Sequence, residues 1–260
     1  MARSQAVTKK EEKGGLPAAF LDEMEADAGA GTGEITTSDL AIPFLRPIQK
    51  MSPCLSKRDP DYIEGASEGD IMNTVTGEVW GPEEGVMVIP CDFKFKILEW
   101  WPRDSKQGSG LVNSYTREDE LPIHEKDEKN KTITSTGTLL EDTAEHYVLV
   151  VNPDGTCEEA LISMSSTQLR TSRKWNSMMK KKTIIGPNGP IKAPSFAYMY
   201  CLKTAIQSND HGEWAQWSVA DAGQITDINL YRAGKTFNQS VSSGTVIVKH
   251  SQEESDTTVM

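Results

Sequence analysis

The alternation of apolar and polar residues along the chain predicts a protein that is mainly β. Short runs with a period of two are separated by turn residues, whereas the helical period occurs in few places. Many short strands divided by turns favour a small OB-like β-barrel over a βαβ sheet, which needs repeated strand–helix alternation. We predict strands over residues 70–75, 78–80, 85–90, 91–101, 146–151, 157–164, 196–207, 213–220 and 245–248.

The longest apolar run contains a change of pattern. Phe93 and Phe95 fall on one face of the predicted strand and are assigned to the core, whereas Lys94 and Lys96 fall on the other face. Pro90 interrupts the run and has no backbone N–H to donate. We therefore expect a break or a bulge there, by which small barrels turn corners.

Two segments have the helical period. Residues 167–181 carry an apolar stripe that includes Trp175, with serine and threonine before the first turn and lysines in the last. Arg170, Arg173 and Lys174 share one face of this helix by their spacing of three and four. A second amphipathic helix is predicted over residues 227–237.

The composition changes at both ends of the chain and once in its middle. Residues 1–35 are predicted as a flexible N-terminal tail, and residues 249–260 as an acidic C-terminal tail. Residues 36–248 are predicted as a single OB-like β-barrel domain, with a long, mobile loop insertion around 102–142 that holds at most one hairpin. At most one amphipathic turn is expected in the N-terminal tail, from Leu16, Phe20, Leu21 and Met24.

Charge is segregated along the chain. The formal net charge is -11 at pH 7, yet the stretch from Ala160 to Asn209 contains no aspartate or glutamate and eight lysines and arginines. Such segregation is typical of a chain whose basic part meets a polyanion. The alternative is a solvated helix face that is balanced by acidic neighbours in the fold.

Two stretches mix cations with aromatic rings, as grooves that bind single strands do. The first begins in the strand after Pro90, and the second is the helix over 167–181 with the residues that follow it. We predict that phosphates are neutralised by Lys94, Lys96, Arg103, Arg170, Arg173, Lys174, Lys180, Lys181 and Lys182. We predict that bases stack on Trp100 or Trp101, on Trp175, and on Tyr198 or Tyr200.

The sequence contains no motif that indicates an enzyme or a metal site. It lacks the phosphate-binding, dinucleotide-binding, zinc-protease and serine-hydrolase motifs, and its four histidines and four cysteines have no ligand spacing. We therefore predict no enzymatic activity, no cofactor and no metal. No apolar run is long enough for a membrane span and no secretion signal is present, so we expect the cytoplasm.

Three passages resemble the single-stranded-DNA-binding proteins of tailed bacteriophages: TTSDLAIPFLRPIQKMSP with GASEGDIMNTVTGEVW, SSTQLRTSRKWNSMM, and YMYCLKTAIQSNDHGEWAQWSVADAG. The resemblance implies an OB-like barrel, an aromatic and basic groove, and an acidic C-terminal tail that contacts replication or recombination proteins. In that family the tail often ends in an aromatic residue, whereas this chain ends in Val259-Met260.

Three functions stay open at this point. The first is sequence-tolerant binding of single-stranded DNA in phage DNA replication or recombination. The second is a phage structural or assembly protein that binds itself or other proteins. The third is a metal-dependent recombination accessory enzyme. The sequence leaves homo-oligomerisation and the choice between DNA and RNA undecided.

Overall fold

The fold is taken from a computed structural model, which describes residues 17–34, 42–128, 130–210, 212–248 and 250. The chain divides into two compact units, Met1–Leu40 and Ala41–Met260. In the first unit, helix α1 (Ala18–Ala26) buries none of its residues. Three of its apolar side chains are about half exposed: Phe20, Leu21 and Met24. Leu16 and the acidic tail from 251 onwards lie outside the described residues.

The second unit is mainly β and confirms the predicted fold class. Its first strands are β1 (Leu45–Pro47), β2 (Ile71–Asn73), β3 (Val79–Trp80), β4 (Val86–Trp100), β5 (Leu111–Tyr115), β6 (His124–Lys126) and β7 (Thr132–Thr134). The others are β8 (Leu139–Val151), β9 (Cys157–Ser165), β10 (Thr183–Gly186), β11 (Gly189–Lys192), β12 (Tyr198–Asn209) and β13 (Gly212–Gln224). The two helices of this unit are α2 (Leu169–Lys181) and α3 (Ile228–Ser242).

The main sheet is a curled half-barrel of eight strands. Its hydrogen-bonded order is β13-β12-β4-β8-β7-β6, with β5 added beside β4 and β9 added beside β8. All these strand pairs are antiparallel, so short hairpins connect many of them. Strands β1 to β3 form a separate small sheet, and β10 pairs only with β11 among the described strands.

Strand β4 is the centre of the half-barrel and bends without ending. Its register with β8 shifts between Pro90 and Asp92, which confirms the predicted bulge. The prediction of two separate strands is wrong, because β4 continues through the bulge to Trp100. Pro90 remains opposite Val148, and the extra residue of the bulge is Cys91, which has no partner in the register with β8.

Two hydrophobic clusters cover the two faces of this sheet. Val148 belongs to the cluster that contains Trp175 of α2, and its neighbour Leu149 belongs to the cluster that contains Phe237 of α3. Successive residues of a strand point to opposite faces. Helices α2 and α3 therefore pack on opposite faces of the sheet.

The region 102–142 contains more regular structure than predicted. Strands β5, β6 and β7 lie within it, and the hairpin expected over 131–140 is present as β7 and the start of β8. Glu99 is buried, and it accepts hydrogen bonds from the hydroxyls of Thr138 at 2.5 Å and Tyr115 at 2.7 Å. The expectation of at most one hairpin is wrong because these bonds fasten β5 and the turn before β8 to the end of β4.

Helix α3 is longer than predicted. It starts after Asp227, whose carboxylate accepts the N–H of Asn229 at 2.7 Å, and it runs to Ser242. The strand predicted over 245–248 is not formed, and Val246 and Val248 instead pack against the cluster beneath α3.

Candidate nucleic-acid interface

The buried face of α2 holds the helix against the sheet. Trp175 is fully buried and stacks on the ring of His146, with 4.5 Å between the ring centroids. The hydroxyl of Ser172 lies 2.8 Å from Nε2 of the same histidine. Burial lowers the pKa of His146 to about 3, so its imidazole is neutral at neutral pH.

Side-chain amides fix the start of α2 to the edge of β13. The amide of Gln168 accepts the N–H of Trp217 and donates to the carbonyl of Ala215, both at 3.1 Å. Thr171 donates to the carbonyl of Trp217 at 3.1 Å. Gln49 bonds both backbone groups of Ala215 at 2.9 Å. These bonds pair edge groups that no neighbouring strand pairs, and they give α2 a defined position on the sheet.

The opposite face of α2 carries the predicted cations. Arg170, Arg173, Lys174 and Lys181 follow the spacing of a single helix face, and Lys180 lies beside them. All five residues are exposed. Within the described part of the chain, no carboxylate lies within the 4.0 Å of an ion pair from any of the five. We call these five residues the basic face.

The position of Arg170 is unfavourable for the helix itself. It lies in the first turn, where the helix dipole disfavours a cation, and that turn has no acidic residue to offset it. Lys180 and Lys181 lie in the last turn, where the dipole favours them. Helix stability therefore accounts for the two lysines but not for the arginine.

Lys182, the next residue, is neutralised within the protein. Its ammonium pairs with the carboxylate of Asp221 and lies 4.4 Å from the centroid of the Tyr198 ring. The hydrogen bond from Lys182 lowers the pKa of Asp221. The Tyr198 hydroxyl donates to the carbonyl of Thr183 at 3.5 Å. Lys182 thus orients a partly exposed tyrosine at the end of the basic face and offers no free charge.

Three predicted stacking residues are buried, and these predictions are wrong. Trp100 is 4% exposed, and Trp175 and Tyr200 are 0% exposed. Burial raises the pKa of Tyr200 to about 12. A base cannot reach these rings while the protein is folded. Of the two pairs of alternatives, Trp101 and Tyr198 remain partly exposed.

Lys94 and Lys96 do not line the same surface as α2. The ammonium of Lys94 donates to the carbonyl of Val241 at 2.9 Å, at the end of α3 on the other face of the sheet. Phe93, its neighbour, packs against the cluster beneath α2. Because the strand alternates, Lys96 follows Lys94 to the α3 face, and the prediction of a shared groove is wrong for both.

The end of β4 is also distant from α2. The register places Leu139 opposite Trp100, whereas His146, beneath α2, lies seven residues further along β8. This separation is about 23 Å along the strand. Trp101 and Arg103 follow Trp100, so they do not join the basic face. One side of the Trp101 indole is covered, since a Cβ on Gly108 would come within 2.4 Å of its Nε1.

The hairpin formed by β10 and β11 was not predicted from the sequence. It follows α2 directly, and the ammonium of Lys192 at its end reaches the carbonyl of Lys180 at 3.4 Å. Ile185 is 84% exposed and Ile191 is 50% exposed. The isoleucines on both sides of the glycine–proline turn are the signal in the sequence that could have found it.

The described residues contain no group of three or more His, Cys, Asp or Glu placed to hold a metal ion. None of the helices in this part of the chain is long and apolar enough to cross a membrane.

One comparison with known proteins is informative. The family model described as Pam3 phage gp34-like protein matches residues 10–247, which is most of the chain. The chain belongs to this family. The match supports the phage part of the resemblance noted above, and the family's description states no biochemical activity. No curated protein and no solved structure matches the chain.

Proposed function

We propose that this member of the Pam3 phage gp34-like family binds single-stranded DNA without sequence preference, mainly by neutralising phosphates along α2. One observation carries the proposal: the basic face presents five exposed cations that have no carboxylate partner among the described residues. A row of unpaired cations favours a polyanion, because binding releases the counterions condensed on the phosphates.

The geometry of the basic face favours tracking of the backbone over reading of bases. Arg170 and Lys181 are separated by about 16 Å of helix axis, a length suited to a short stretch of strand. A helix that reads the major groove needs a helix–turn–helix frame, whereas α2 is fixed by its inner face to a β-sheet. Tyr198 is the aromatic ring beside the basic face, so stacking of bases contributes little to the affinity. Because contacts to phosphates carry no sequence information, binding should tolerate any base sequence.

The role in the phage follows from this mode of binding. A protein that covers single strands regardless of sequence serves DNA replication or recombination, in which such strands are exposed. Contacts between the acidic tail and replication or recombination proteins remain a prediction, since that tail lies outside the described residues.

The test is fluorescence anisotropy of a labelled (dT)30 oligonucleotide at increasing salt concentration. If five phosphates are neutralised, the slope of log K against log salt is about -3.5. The double substitution Arg170→Gln/Arg173→Gln weakens binding and reduces the magnitude of this slope by about 1.4. Absent or salt-independent binding by the wild-type protein overturns the proposal.

A matched control separates the basic face from net charge. Arg232→Gln/Lys235→Gln removes the same two charges from exposed positions of α3, on the other face of the sheet. This variant should keep the wild-type affinity and slope. Equal losses in the two double variants would show that overall charge, not α2, governs binding.

A second function is favoured by a different observation. Helix α1 buries none of its residues and exposes Phe20, Leu21 and Met24, as an element that docks on another protein does. A structural or assembly protein would associate in a concentration-dependent manner. Sedimentation of the wild type and of Phe20→Ser/Met24→Ser tests this, since the substitutions should lower the association if α1 mediates it.

A further inference from the structure

We infer that the hairpin formed by β10 and β11 is a wedge that enters between paired bases where a duplex meets a single strand. This activity, strand separation at a junction, goes beyond covering a strand that is already single. The inference rests on the proposed function, because the basic face must hold the single strand next to the hairpin.

The hairpin is apolar on both of its faces. Its register places Ile184 opposite Ile191 and Ile185 opposite Pro190. Cross-strand partners share a face and successive residues alternate, so one face carries the first pair and the other face carries the second. A hairpin packed on the protein would need only one apolar face.

Most of this apolar surface is exposed. The two strands pair only with each other among the described strands, and an isolated two-stranded hairpin is marginally stable in water. Ile184 is partly buried, whereas Pro190 is exposed, Ile185 is 84% exposed and Ile191 is 50% exposed. Three apolar side chains of one hairpin thus leave much of their burial energy unused, which a ligand could recover.

The charges at the base of the hairpin favour nucleic acid as its ligand. Lys180 and Lys181 precede the first strand and Lys192 ends the second, and no acidic residue occurs between Ala160 and Asn209. Proteins that unstack base pairs combine these features: isoleucine or proline enters the base step, while cations hold the adjacent phosphates. An apolar protein partner would not require three lysines at the base.

The connection to α2 leads a bound strand towards the hairpin. Lys192 bonds the carbonyl of Lys180 at 3.4 Å, which joins the end of the hairpin to the end of the basic face. A strand that follows the basic face to its C-terminal end therefore arrives at the base of the hairpin, where Thr183 pairs with Lys192, two residues before Ile185. Because isoleucine makes no base-specific hydrogen bond, separation should be as tolerant of sequence as binding is.

The test uses a forked DNA with oligo(dT) tails and a short duplex that carries a fluorophore and a quencher. The substitution Ile185→Ser should reduce the rate of strand separation at least tenfold and keep the affinity for (dT)30 within about twofold. Ile228→Ser is the matched control, since it removes an isoleucine that is 55% exposed at the start of α3. This control should change neither quantity, and thermal unfolding should show that both variants fold.

The outcomes distinguish the two proposals. If the wild type binds (dT)30 but does not separate strands, or if Ile185→Ser separates them at the wild-type rate, the wedge is overturned and the proposed function stands. A parallel loss of (dT)30 affinity would make the hairpin part of the single-strand site and also overturn the wedge. If Ile185→Ser instead lowers self-association without changing separation, the hairpin contacts protein. If the wild type does not bind (dT)30, both proposals fail.

Discussion

Nε2 of His146 and Oγ of Ser172 lie 2.8 Å apart in the interior and join strand β8 to helix α2. The helix that carries the basic face is thus fastened to the core through an imidazole that burial keeps neutral. Protonation of this group would place an uncompensated charge beneath the helix. The position of the basic face and the protonation state of the core are therefore linked.

The first prediction concerns the pH dependence of stability. His146 has a pKa of about 3 in the folded protein and about 6.5 when unfolded. Between these values the unfolded chain binds the proton that the folded chain excludes, so stability falls as the pH drops below 6.5. From pH 7 to pH 5 this group should remove about 2 kcal/mol from the free energy of unfolding.

Urea unfolding of the wild type and of His146→Gln at the two pH values checks this prediction. The variant is less stable at pH 7, yet its loss between pH 7 and pH 5 should be smaller than the wild-type loss by that amount. Equal losses in the two proteins would show that carboxylates, not His146, set the pH dependence.

The second prediction concerns a contact between a histidine and a carboxylate in the interior. Nε2 of His250 lies 2.9 Å from a carboxylate oxygen of Glu145, and the side chains are 5% and 2% exposed. Tyr147 donates to the other oxygen at 2.9 Å. The substitution His250→Ala leaves the buried carboxylate of Glu145 without this hydrogen-bonding partner and should lower the free energy of unfolding by about 3 kcal/mol.

A double variant identifies the cause of that loss. Glu145→Gln/His250→Ala also replaces the carboxylate that lost its partner, so chemical denaturation should show it to be more stable than His250→Ala alone. Part of the loss should remain, because His250 also packs against the ring of Phe44 at 5.7 Å. A double variant as unstable as the single one would assign the whole effect to packing.

The third prediction concerns the internally neutralised lysine. The substitution Asp221→Asn removes the carboxylate that pairs with Lys182 and releases a sixth cation at the end of the basic face. Affinity for (dT)30 should rise at low salt, and the salt slope should become steeper by about 0.7. Anisotropy titrations measure both. Asp104→Asn makes the same change of charge at an exposed loop position and should have little effect.

Local patterns were sufficient to predict much of the fold. The hairpins β8–β9 and β12–β13 join strands that are neighbours in sequence, with turn residues between them. The bulge in β4 followed from a single proline. The helical period located α2 and placed Trp175 in its apolar stripe, although Trp175 was also predicted to stack on bases and is buried.

The site could be predicted only where it is local to α2. The exposed cations of the basic face share one helical period, and the sequence revealed them for that reason. The ammonium of Lys94 donates to the carbonyl of Val241, which is 147 residues away in the sequence. No local pattern shows that this lysine already has a hydrogen-bonding partner within the protein. Likewise, Glu99 and Thr138 are 39 residues apart, so the order of the inserted region depends on contacts that only the fold brings together.

The side chains of Gln49 and Gln168 cover part of the free edge of β13, and this affects how readily copies of the protein aggregate at high concentration. An uncovered edge strand is a template on which another molecule can add its own strand, and this is a common start of aggregation. Gln49 and Gln168 bond both backbone groups of Ala215 and the N–H of Trp217, and Thr171 bonds the carbonyl of Trp217, so the groups that such a strand would use are taken. These side chains thereby make the hydrogen bonds that a neighbouring strand would make, and they limit the addition of further strands to the sheet.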